Sequence, residues 1–234
     1  MSEQTPSPAE LQARWDKIRV ANLYDTLDKM GYSNQCIDLG IRPLFMHQHL
    51  AGQVVTVKGS SYPVPRGEEW TGGGGVNYFE KLRTMMYPGC VVVVECGGEM
   101  HAGKFGEMTS WALQQGGARG IVLDSFIRDY LGLEVIPNYT VCSRGTSPIE
   151  SSQRWRIDEV NGTIGMPGTL TSRVRVRPGD WIVGEADGVV VVPQEIAMEA
   201  LEKVEDVEYR EQGMREDFAK GMSFDEAYAK WGRA

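Results

Sequence analysis

The chain has 234 residues, a length that suits one domain or one domain with an appendage. Hydrophobic residues make up 41%, enough for a packed core and too many for a chain disordered throughout. The formal net charge of −8 argues against nucleic acid as the main partner, because phosphate binding needs a basic face; Arg173, Arg175 and Arg177 form at most a local patch.

Residues 1–8 read as a loose tail. Leu11, Trp15, Ile18, Val20, Leu23 and Leu27 then recur at roughly helical spacing, which predicts a helix over 9–29 ended by Gly31. The polar start of the chain lacks the apolar stretch of a signal peptide, and no segment approaches the length of a membrane span. A cytoplasmic, reduced protein is expected. None of the four cysteines forms a CxxC pair, so there is no thiolate zinc or redox motif. His47 and His49 would face one side of a strand, but no further ligand cluster supports a metal there and packing is the plainer account.

The run GQVVTVK over 52–58 predicts a strand. In the stretch that follows, residues 60–76, two prolines and the four glycines Gly72 to Gly75 forbid regular structure. A loop of that length is either functional or a surface insertion. Cys90 to Cys96 is a continuous apolar strand suited to burial on both faces, with its two cysteines as buried free thiols. Gly97-Gly98 breaks it, a helix is expected over 103–115, Gly116-Gly117 stops that helix, and Gly120 to Asp124 reads as a second buried strand. This is a βαβ unit, whose crossover is right-handed and whose ligands bind at the carboxyl ends of its strands.

A short strand is expected over 135–142 and further strands over 160–177. Residues 179–185 and 189–193 read as two strands joined at Asp187-Gly188, a strong hairpin signal. Residues 194–210 read as a helix whose glutamates form a solvated face, and Ser223-Phe224-Asp225-Glu226 has the spacing of a capping box opening a last helix. The six tryptophans show no stacking period and read as core or interface residues.

Three features converge on one end of the βαβ unit. The glycine turn at 97–98 leads towards a helix N-terminus, where free N–H groups and the helix dipole favour an anion such as a carboxylate. Glu107 lies near the start of that helix. Arg128 and Asp129 lie just past the end of the second strand. Asp129 and Glu107 offer hard oxygen ligands, right for magnesium or manganese, and Arg128 offers a planar donor fork for a carboxylate or an enolate oxygen. The plainer alternative is an ion pair that holds the loop, with no chemistry attached. His101 sits on the turn, either as an acid, base or substrate contact or bonded to the backbone, and Asp124 is placed to orient Arg128.

The segment 98–129 resembles the family of 4-hydroxy-4-methyl-2-oxoglutarate aldolases, which also contains the regulator of ribonuclease activity A. The resemblance rests on an acidic residue, twenty residues and Arg-Asp, here Glu107 and Arg128-Asp129. It rests also on Gly98, Ala102 and Gly106, on the strand 120–124, and on Arg177-Pro178-Gly179-Asp180 followed by Asp187 to Pro193. Weaker likeness runs over the opening helix and the stretch 214–232, so that residues 15–232 are covered.

The resemblance implies an α/β chain with a compact β/β/α, swivelling-domain-like fold, a central βαβ unit and C-terminal helices. It divides the chain into a tail (1–14), a catalytic domain (15–193) and a C-terminal helical extension (194–234). It implies homotrimers or pairs of trimers with sites near subunit contacts. It implies a Mg2+ or Mn2+ ion held directly by Asp129 and through water by Glu107, and pyruvyl oxygens held by Arg128. The turn of Gly98, Glu99, Met100, His101 and Gly103 would bind the substrate carboxylate. The activity implied is a class II pyruvate aldolase that cleaves a 4-hydroxy-2-oxo acid through a pyruvate enolate, with oxaloacetate decarboxylation as a side activity. Glu107 stands where aspartate is frequent, and Glu99, His101 and the 60–76 loop also depart from the pattern, where a substrate's distal end would be read. Two alternatives stand beside this: a lyase or other enolate-forming enzyme acting on a sugar-derived acid, and a non-catalytic binding protein of the ribonuclease-regulator type.

Overall fold

A computed structural model describes residues 6–61 and 77–232. The expectations placed on the 60–76 loop, including Trp70 and Gly72 to Gly75, therefore lie almost wholly outside the described residues. In chain order the elements are α1 (Pro8–Trp15), α2 (Val20–Lys29), β1 (Arg42–Pro43), β2 (Leu50–Ser61), α3 (Tyr78–Met85), β3 (Val91–Glu95), α4 (Glu107–Gln115) and β4 (Gly120–Leu123). They continue with α5 (Tyr130–Glu134), β5 (Thr140–Ser143), β6 (Trp155–Val160), β7 (Ile164–Pro167), β8 (Arg173–Val176), β9 (Trp181–Glu185), β10 (Gly188–Val192), a 3-10 turn (Gln194–Ile196), α6 (Ala197–Ala219) and α7 (Phe224–Trp231).

One sheet runs β1-β5-β4-β3-β2-β9-β10, with β6 also paired to β2. β2, β3, β4 and β5 are parallel, as the βαβ pattern requires. At the far side β2 turns antiparallel to β9, and β9 and β10 form the expected hairpin, with Gly188 opposite Glu185. β1 lies against both β9 and β10, so the two ends of the sheet approach each other in a nearly closed barrel. β7 and β8 form a separate ribbon.

Burial on both faces explains the apolar run in β3. Val91 and Val93 point into the barrel with Leu50, Val122 and Val189, whereas Val92 and Val94 point outward under the helices with Leu113, Ile121 and Leu133. Each fully buried valine contributes about 1.5–3 kcal/mol. A third cluster seats α1, α2 and α6 on β9 and β10 through Trp15, Leu23, Leu27, Val183, Val192 and Leu201. The buried thiols are as expected: Cys90 and Cys96 are enclosed and unbridged. No helix among the described residues is long and apolar enough to cross a membrane.

Four elements differ from the sequence expectation. The helix foreseen over 9–29 breaks into two, because the chain turns after Trp15 so that both Trp15 and Ile18 are buried. The strand foreseen over 135–142 shrinks to β5; Pro137 and Asn138, the latter at φ 53°, end the preceding turn. The helix foreseen from 103 begins at Glu107, since Gly103 is taken up in bridges to Phe126 and Glu150. The helix foreseen over 194–210 runs on to Ala219, and its glutamates are not merely solvated. Glu205 pairs with Arg14 through two bonds of 2.8 and 2.6 Å, and Glu208 accepts the Arg19 N–H at the start of α2.

Candidate active site

The site is built at the carboxyl ends of β3 and β4, where parallel strands open their connections to one side. After β4 the chain runs on extended. Lys104 N–H bonds to Phe126 O and Arg128 N–H to Phe105 O, both at 2.9 Å, so the segments 103–105 and 126–128 lie side by side. On the other flank Ser147 N–H bonds to Ile127 O at 2.8 Å. This lacing fixes Arg128 and Asp129 against the entry to α4. The approach is close: a Cβ at Gly103 would lie 2.8 Å from Arg128 Cβ, and one at Gly106 would lie 2.4 Å from Asp129 Oδ2.

Asp129 has left-handed backbone (φ 65°, ψ 46°), a conformation uncommon for a residue with a side chain and concentrated at functional sites. The bend sends the chain into α5 and returns the carboxylate to α4. There Oδ2 accepts the Glu107 N–H at 3.1 Å, while Oδ1 accepts from Arg128 Nε at 3.3 Å. Arg128, Asp129 and Glu107 are thus brought together, as the sequence predicts. All three remain accessible, with the Arg128 and Asp129 side chains 33% and 41% exposed. Glu107 extends its carboxylate over Gly132 of α5.

The turn over 98–103 is less open than its sequence implies. Glu99 is buried, and its carboxylate is engaged within the protein. Its carboxylate accepts the Ala102 N–H at 3.1 Å and is ion-paired with Lys104. Lys104 Nζ also donates to Ala102 O at 2.7 Å and to Ser125 Oγ at 3.2 Å, so its three protons are all used. Burial pushes the Lys104 ammonium down to about 8, against the pull of Cys96 and Asp124. The Gly103 N–H is committed to Ile149 O at 2.9 Å. Gly98 (φ 79°) turns the chain, Met100 and His101 stay exposed, and His101 O accepts from Ser147 Oγ at 2.6 Å. The helix N-terminus nearest Arg128 and Asp129 is at Gly106–Glu107, several residues after the turn the sequence points to.

Asp124 does not orient Arg128. Its Oδ1 accepts the Cys96 N–H at 2.7 Å, tying the ends of β3 and β4, and burial raises its pKa. The guanidinium beside it is that of Arg144, which donates to Asp124 O at 3.2 Å. His49 bonds to Ile18 O at 2.9 Å, a packing role. Among the described residues there is no cluster of three or more His, Cys, Asp or Glu side chains that would hold a metal. Sequence reasoning missed Lys104 and Ser125. The available signal was that Lys104 is the single cation between Arg83 and Arg119, amid Glu95, Glu99 and Glu107.

A family profile for RraA-like proteins (Aldolase/RraA) matches residues 20–191. A protein of Halalkalibacterium halodurans named "Putative 4-hydroxy-4-methyl-2-oxoglutarate aldolase" is 32% identical over 134 residues, 56% of this chain and 60% of that relative. One of the same name from Paraburkholderia phytofirmans is 33% identical over 44% of this chain and 58% of its own length. The chain thus spans under two thirds of both relatives. Among solved structures, an uncharacterized protein from Pseudomonas syringae pv. tomato superposes with TM-score 0.77 at 24% identity, over 96% of this chain and 99% of that one. Streptomyces coelicolor RraAS2, described as an unusual member of the RNase ES inhibitor RraA protein family, gives 0.73 at 23% identity over 90% and 98%. These two likenesses are of fold. With the profile spanning most of the barrel and both halves of the Glu107–Asp129 constellation, the chain belongs to the RraA-like family.

Proposed function

We propose that the chain is a divalent-cation-dependent carbon–carbon lyase that cleaves a 4-hydroxy-2-oxo acid to pyruvate, with oxaloacetate decarboxylation as a side activity. The observation that carries this reading is that Arg128 Nε and the first N–H of α4 both donate to the Asp129 carboxylate. The names of the relatives support a lyase of this kind.

The donor set fits a hard cation. Asp129 and Glu107 are two accessible carboxylates, and magnesium is commonly held by one or two carboxylates with water completing the shell. Asp129 would hold Mg2+ or Mn2+ directly and Glu107 through water. The cation would supply Lewis-acid stabilisation of charge on the 2-oxo oxygen. Arg128 presents its fork to the carboxylate or to that same oxygen, where charge grows as the C3–C4 bond breaks. In that step the C4 hydroxyl loses its proton and becomes a carbonyl, the bonding pair passes to the pyruvate enolate, and C3 then takes up a proton. The positive end of α4 adds to the field that favours the anion. Met108, Leu131 and Val135 are exposed in the segments that carry the site, and a homo-oligomer, trimer or hexamer, with the site near a contact would cover them.

The test is pyruvate release from 4-hydroxy-4-methyl-2-oxoglutarate and from oxaloacetate, with and without Mg2+ or Mn2+, for wild type and Asp129→Ala. Cation-dependent release that the substitution abolishes is expected. Cation binding with no release from either compound would redirect the reading to sugar-derived acids. Neither binding nor release, with capture of a ribonuclease, would favour the regulator type.

A further inference from the structure

Glu107 lies on the first turn of α4, and α5 passes close beside that turn. The bend at Asp129 aims α5: Asp129 O accepts the Gly132 N–H at 2.9 Å, which sets Gly132 directly under the Glu107 side chain. A Cβ built on Gly132 would stand 2.1 Å from Glu107 Oε2, 2.3 Å from Cδ and 2.8 Å from Cγ. No real Cβ tolerates such distances, so any other residue at 132 must displace the carboxyl group. Backbone strain does not call for glycine here. Gly132 is in helical conformation within α5, where alanine is the better helix former.

We propose that Gly132 is a positioning residue for Glu107: its bare Cα is the surface on which the carboxylate lies, and so it sets where the carboxylate of the first residue of α4 sits. The proposal rests on the reading that Glu107 takes part in cation binding. The overlap falls on the outer methylene and the carboxyl group of Glu107, not on its backbone. Two consequences follow. Gly132→Ala is absorbed by movement of the Glu107 side chain, with no cost to the fold. Alanine at 107, which lacks Cγ and the carboxyl group, clears the new Cβ.

The experiment compares wild type, Gly132→Ala, Glu107→Ala and Gly132→Ala/Glu107→Ala by Mn2+ affinity (electron paramagnetic resonance), pyruvate release and thermal melting. For Gly132→Ala the expected result is an unchanged or higher Tm with Mn2+ affinity and kcat/KM reduced by about 10-fold, the usual scale for disturbing the groups that orient a metal ligand. The double variant should bind Mn2+ no more weakly than Glu107→Ala alone, which an effect of Gly132 independent of Glu107 would not produce. Wild-type affinity in Gly132→Ala, or single effects that simply add in the double variant, would overturn the proposal while leaving the cation-dependent reading intact. A wild type that neither binds Mn2+ nor releases pyruvate would remove that reading and this proposal with it.

Discussion

Asp129 and Glu107, twenty-two residues apart, are joined by one hydrogen bond: Oδ2 of Asp129 accepts the Glu107 N–H at 3.1 Å. The carboxylate at the end of one strand's connection therefore caps the helix that follows the other strand. It has a structural duty as well as the proposed chemical one, and substitutions can separate the two.

Asp129→Asn keeps an acceptor for the Glu107 N–H and a residue type that tolerates left-handed backbone. Asp129→Ala loses both, at about 1–2 kcal/mol for the backbone and about 1 kcal/mol for the cap. The expected outcome is near wild-type stability for the asparagine variant and a clear loss for the alanine variant in urea melts. Mn2+ affinity should fall in both by at least about 100-fold. An asparagine variant that still bound Mn2+ tightly would show that the charge of Asp129 is not what holds the cation.

Arg128 is held by its backbone as much as by its side chain, through the bond from its N–H to Phe105 O at 2.9 Å. Arg128→Lys leaves that bond alone and replaces a planar fork with a point charge. Its Tm should match wild type while kcat/KM for pyruvate release falls by about 100-fold, the scale of losing one aimed donor at a developing oxyanion. A lysine variant with full activity would mean that charge alone suffices at this position.

The parallel core was legible because its physics is local. A strand buried on both faces must be apolar at every position, and Val91 to Val94 and Gly120 to Leu123 are. The hairpin at 187–188 and the capping box at Ser223 were legible for the same reason, each being specified within a few residues. The trio Glu107, Arg128 and Asp129 emerged because a βαβ unit brings the ends of its two strands to one side. What was not legible depended on partners distant in sequence. Glu99 looked like a ligand-facing residue until Lys104 and Ser125 closed around it, and Asp124 was credited to Arg128 when its bond goes back to Cys96. The glutamates of α6 looked solvated because Arg14 lies 191 residues from Glu205.

The Lys104–Glu99 pair is closed to solvent, with side-chain exposures of 0% and 8%. Removing one partner of such a pair strands the other charge, at about 3–5 kcal/mol, whereas removing both costs far less. Lys104→Met should therefore lower the urea midpoint sharply, and Lys104→Met/Glu99→Gln should recover a large part of the loss. A Lys104→Met variant within about 1 kcal/mol of wild type would mean that the pair is not a buried charge pair in solution.

The last test concerns the docking of α7 on α6. Asp217 accepts from Lys230 Nζ and from Trp231 Nε1, both at 2.7 Å, and the Trp231 ring lies on Gly213, where a Cβ would be 2.3 Å from it. The bond from Lys230, and next that from Trp231, hold the Asp217 carboxyl below its ordinary value of 3.8. A carboxyl depressed in the folded state contributes stability that is present above the unfolded value and is lost as pH falls through the folded one. Trp231 should thus stay docked at neutral pH and release as the pH drops below about 3.8, read as the difference in fluorescence between wild type and Trp231→Phe. Asp217→Asn should weaken docking at neutral pH and flatten that acid transition. Gly213→Ala provides the control. Alanine is favoured over glycine inside a helix, yet here it meets a rigid ring, so it should undock Trp231 at every pH without replacing any titrating side chain. An acid transition that persisted in Asp217→Asn would assign the release of α7 to some other carboxylate.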